Sequence, residues 1–228
     1  MKAFLKGCVA IVLGVFLSGS AGALVINTLN NPTAFTISSN VGGGSVLTAT
    51  GSVTVTSGFN SSALTLHVIL NNTSTLNGIP YTLADNVRLI GWGFGVDPNA
   101  TGVTFADSAD GGLIDATLDS LPSLSGIEVC AWGGNNCSGG ANGGIQAGSV
   151  DTFDLILAGF WGNSVNFDPL GVKFQTGSGS FEFACTGSCT ANSRLAAAVL
   201  AVPEPQTLAL IGLGLLGLAM IRRRAQTR

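Results

Sequence analysis

The chain has 228 residues, of which 33 are glycine and 9% are charged. That scarcity of Lys and Glu excludes a helical bundle, while the length allows one domain with a sizeable core. Its formal charge of −3 hides an asymmetry: between residues 24 and 202, eleven acidic residues stand against Arg88, Lys173 and Arg194, a net of −8. Such an acidic surface excludes nucleic acid as a partner, since basic contacts to phosphate dominate that affinity, and leaves room for divalent cations.

Lys2 and Lys6 precede an apolar run over residues 9–17, and Ala21-Gly22-Ala23 supplies small residues at a cleavage position. These features predict a secretory signal peptide over residues 1–23, with the mature protein starting near Leu24.

Residues 24–201 then read as an all-β domain. Strand signals fall at residues 24–28, 46–56, 64–68, 87–94, 103–105, 113–118, 127–131, 153–161, 172–174 and 181–183. Alternation is clearest in Val53-Thr54-Val55-Thr56 and around His67, where Leu64, Leu66 and Val68 share one face. Gly91, Gly93 and Gly95 alternate with Trp92 and Phe94, leaving one sheet face bare for close approach of another layer. Asn77-Gly78, Asp97-Pro98, Asp110-Gly111-Gly112, Asp168-Pro169 and Gly177-Ser178-Gly179 read as the separating turns. About ten short strands with frequent turns predict an antiparallel β-sandwich of jelly-roll type. Residues 133–148 read as a long Gly/Asn-rich loop, and residues 195–202 as a last strand or a linker.

Beyond Cys8, within the expected signal peptide, four cysteines remain: Cys130, Cys137, Cys185 and Cys189. An even number in an exported chain points to two disulfides. Three connectivities are possible, and the spacing favours the local one, Cys130–Cys137 with Cys185–Cys189. Zinc is the rival, but among these cysteines the C-x₂₋₄-C spacing it prefers occurs once, at Cys185 and Cys189.

No catalytic constellation stands out. His67 lies opposite the apolar set of its strand, on the solvent face, and no G-x-S-x-G elbow accompanies it. Acids are available for glycoside hydrolysis, yet nothing singles out two of them. Among the clustered aspartates, Asp107 and Asp110 are the first choice for a calcium site, although turn aspartates more often shape turns. The expectation is no catalytic residue and no cofactor.

The tail, residues 202–228, has three parts. Pro203-Glu204-Pro205 comes first, residues 208–221 form a charge-free run, and Arg222, Arg223 and Arg224 close it. As a helix the run spans about 21 Å, short of the roughly 30 Å hydrocarbon core, and the arginines can snorkel to headgroups. Their charge predicts a cytoplasmic end beyond the helix. Gly212, Gly214 and Gly217 fit G-x-G-x-x-G, but without a preceding strand this is no dinucleotide site.

The tripartite tail resembles the PEP-CTERM sorting signal of Gram-negative bacteria. The resemblance implies that Pro203, Glu204 and Pro205 are recognised by an exosortase-type membrane protease. That protease would remove the helix and pass the protein to the cell surface or an extracellular polysaccharide matrix. Val129-Cys130, Asn135-Asn136-Cys137 and Gly139-Gly140 are similar to a motif of the cistern family within that group, which adds no activity. The combined expectation is an exported, non-enzymatic protein with a structural or carbohydrate-associated role. The alternatives are a matrix-modifying, glycoside-acting enzyme and a permanently anchored surface protein.

Overall fold

In the computed structural model, residues 24–107, 111–140 and 142–185 are described. They form two antiparallel sheets. In the first, β13 (Val165–Thr176) pairs with β7 (Arg88–Asp97) on one side and with β1 (Leu24–Ile26) and β14 (Gly179–Cys185) on the other. β7 continues to β10 (Val129–Trp132) and β11 (Ile145–Gln146), and β10 to β9 (Asp115–Thr117). In the second, β3 (Ser45–Ser57) lies between β2 (Thr33–Gly42) and β4 (Ala63–Asn72). β12 (Val150–Ala158) and β8 (Gly102–Asp107) extend that sheet beyond β4. The short hairpin of β5 (Thr75–Leu76) and β6 (Ile79–Pro80) hangs on the start of β3. Its turn is Asn77-Gly78, both with positive φ, as a two-residue hairpin requires.

Period-2 patterning decides which faces meet. Phe35, Ile37, Leu47, Val53, Leu64, Leu66, Val68, Phe153 and Leu155 point inward from the second sheet. Trp92, Phe94, Phe167, Leu170, Val172 and Phe174 meet them from the first, all buried in one cluster. Trp92 sits at its middle, with ring centroids 5.9 Å from Phe35, 5.0 Å from Phe94 and 6.1 Å from Phe153. The expected all-β sandwich is therefore what the described residues form.

Towards one end of the core a buried asparagine is fully engaged. Asn72 Nδ2 donates to the carbonyls of Val87 and Ile145, while its Oδ1 accepts from the Ser74 amide and hydroxyl. A buried amide must be satisfied in this way to avoid its desolvation cost.

Three sequence expectations need correction. Residues 133–148 are not loop throughout, because Ile145 and Gln146 pair with Leu89 and Arg88 as β11. Asp168-Pro169 does not separate strands; it lies inside β13, where the register with β7 shifts between Phe167 and Leu170. Proline cannot donate to a ladder, and a bulge removes the need. The strand β2 was not expected at all, because Ser38, Ser39 and Asn40 dilute the apolar signal of Phe35 and Ile37.

Candidate functional site

The bare glycine face of β7 carries a third layer. Leu121, Leu124 and Ile127, from the segment between β9 and β10, lie over Gly91, Gly93 and Gly171. A Cβ at Gly93 would stand 2.7 Å from Ile127 Cγ2, and one at Gly171 2.7 Å from Leu124 Cδ1. Only glycine leaves room there. Next to this layer, Cys130 and Cys137 form a disulfide and pack with buried Leu121.

Under the same cover lies a buried ion pair. Lys173 Nζ and Glu182 Oε1 are 2.5 Å apart, with side chains 7% and 8% exposed. They are register partners on β13 and β14. The other carboxylate oxygen accepts from the Ser123 amide at 2.6 Å, and Gly139 approaches the lysine stem. The pair thus fastens the third layer to the last described strand.

The outer face of the second sheet is different in kind. Thr36, Ser38, Thr48, Thr50, Ser52 and Thr54 line β2 and β3, and Ser38 and Thr48 hydroxyls bond at 2.8 Å. On the next two strands His67 Nδ1 lies 2.7 Å from Asp154 Oδ1, with side chains 40% and 48% exposed. His67 therefore faces solvent, as its strand pattern predicts. The groove beside it has a volume of about 330 Å³ and also includes Asp107. A second hollow, of about 350 Å³, contains Asp119 and Glu128. The Phe, Tyr and Trp side chains lining them are limited to Phe153, whose ring is buried in the core.

The third hollow, of about 270 Å³, opens at one end of the sandwich. It is bounded by the β2–β3 turn, the segment from Tyr81 to Val87 and the β13–β14 turn. Tyr81 donates to Ser45 Oγ at 2.9 Å. Asp85 ends a short 3₁₀ turn capped by Thr82, whose amide and hydroxyl both donate to Asp85 Oδ2, at 2.7 and 2.8 Å. The backbone bond first, and the hydroxyl bond second, hold the Asp85 carboxyl below its ordinary range. The accepting oxygen favours the charged form.

The predicted site residues divide into those placed here and those outside the described residues. Cys130 pairs with Cys137, and Cys185 is also disulfide-bonded; its expected partner Cys189 lies outside. Asp107 is described and Asp110 is not. Among the described residues no three His, Cys, Asp or Glu side chains gather as a metal-binding group. Ala21, Ala23, Pro203, Glu204, Pro205, Arg222, Arg223 and Arg224 all lie outside the described residues, and among those within them no helix is long and apolar enough to cross a membrane.

Sequence reasoning missed two features. The Lys173–Glu182 pair could have been found, since both residues are three positions from the ends of the hairpin turn, Thr176 and Gly179. Thr82 and Asp85 fit the capping spacing of Ser/Thr followed three residues later by an acid. Nothing in the sequence, however, tells that this turn borders a hollow.

An antiparallel sandwich with at least one disulfide and a strongly acidic domain is the class of protein defined so far. The PEP-CTERM protein-sorting motif matches residues 201–224, so the chain carries the signal by which exosortase substrates are sorted. No curated protein and no solved structure matches it.

Proposed function

We propose that this protein is a non-enzymatic component of the cell surface or extracellular matrix. It is delivered there by an exosortase-type protease acting on residues 203–205, and it has a structural or carbohydrate-associated role. The observation that carries this reading is the sorting motif over residues 201–224, following a domain that bears the Cys130–Cys137 disulfide. Disulfides persist in oxidising compartments outside the cytosol. The acidic surface repels anionic headgroups at physiological salt, which suits a protein that leaves the membrane. A hydroxyl-rich sheet face offers many hydrogen-bonding groups with little charge.

The test is a chain with Pro203→Ala, Glu204→Ala and Pro205→Ala, followed by cell fractionation. The expected result is retention of the unprocessed chain in the inner-membrane fraction and its loss from the surface. Unchanged delivery to the surface would overturn the reading.

A further inference from the structure

We propose that the hollow at the sandwich end, beside Tyr81 and Asp85, binds a single neutral sugar ring of a glycan. This rests on the carbohydrate-associated role proposed above and names its site.

Three observations carry it. First, size: about 270 Å³ falls just below the roughly 300–1,000 Å³ of pockets for drug-sized ligands. One ring fits, and an oligosaccharide lying lengthwise does not. Second, chemistry: Tyr81 and Phe181 supply ring surface for the apolar C–H face of a sugar. Asp85, Ser45, Thr176 and Ser178 supply acceptors and hydroxyls for its rim. The other two hollows lack an accessible Phe, Tyr or Trp ring. Third, pre-organisation: Asp85 Oδ2 is already bound twice by Thr82, which fixes the carboxylate and leaves Oδ1 to accept from a ligand hydroxyl. A group held in place before binding loses little entropy when the ligand arrives.

Charge sets the class of sugar. Lys and Arg are absent from the lining, which carries the Asp85 carboxylate on a domain with eight more acidic than basic residues. Uronic acids and sulfated sugars are therefore repelled, whereas neutral hexoses and N-acetylhexosamines are accepted.

The test is saturation-transfer NMR on the full-length protein in detergent. The ligands are glucose, galactose, mannose, N-acetylglucosamine and glucuronate, each up to about 10 mM, a range that captures affinities as weak as millimolar. At least one neutral sugar receives saturation and glucuronate receives none. Asp85→Ala weakens that binding at least about tenfold, or 1.4 kcal/mol, while His67→Ala leaves it unchanged. Asp85 is exposed, so its loss leaves the fold intact, which circular dichroism checks. Binding that survives both Asp85→Ala and Tyr81→Ala, in variants whose circular dichroism is unchanged, overturns this site but keeps the carbohydrate role. Preferred binding of glucuronate overturns the site's stated chemistry. No binding of any sugar by the unaltered protein overturns the site and the carbohydrate role together.

Discussion

Replacing Trp92 with alanine is expected to destabilise the domain by about 3–5 kcal/mol, the cost of truncating a large buried aromatic. Trp92 is fully buried and touches rings from both sheets: Phe94 on its own strand, and Phe35 and Phe153 across the core. Three rings lose a neighbour at once, and backbone ladders on both sides keep the sheets from closing the gap. Trp92→Phe should cost clearly less. The indole Nε1 has no hydrogen-bond partner among the described residues, and an orphaned buried donor costs about 1–3 kcal/mol. Phenylalanine removes that donor while keeping a ring in the cluster. Urea unfolding followed by circular dichroism measures both variants. A loss below about 1 kcal/mol for Trp92→Ala would show that this ring is not central to the core.

The second large effect concerns Lys173 and Glu182. Lys173→Met leaves a buried carboxylate without its cation, for an expected loss of about 3–5 kcal/mol. Glu182→Leu strands the ammonium and should cost a similar amount. The double variant Lys173→Met, Glu182→Leu removes both charges and should recover most of the loss, because well-packed apolar replacements of buried ion pairs are often neutral or stabilising. Ser123 would lose the acceptor for its amide, but that residue is exposed and water can take the place. A double-mutant cycle on unfolding free energy reads the coupling directly. Single variants that each cost less than about 1 kcal/mol would mean that solvent reaches the pair.

Much of the sandwich was legible because its signals are local. Leu64, Leu66 and Val68 alternate with polar residues, and all three are buried in β4. Gly91 and Gly93 marked a bare face, and the structure covers that face with Leu121 and Ile127. What covers it was not legible, since residues 118–128 show no period of their own. β2 was missed because polar residues at inward positions, such as buried Ser39, blur an alternation. Asp168-Pro169 misled because a proline that punctuates sequence can also sit at a bulge. The site is harder to read for a physical reason. Ser45, the segment carrying Tyr81 and Asp85, and Phe181 are far apart in the chain and meet only once both sheets and the hairpin turns are placed. The sorting motif is the opposite case: it is read from contiguous residues, with no tertiary structure needed.

Sorting by that tail is decided most directly by the tail's fate. Intact-mass measurement of the native protein recovered from the cell surface tests it. The expected product begins near Leu24 and ends close to Pro205, with the arginines at 222–224 gone. A surface-recovered mass that still includes those arginines would contradict it.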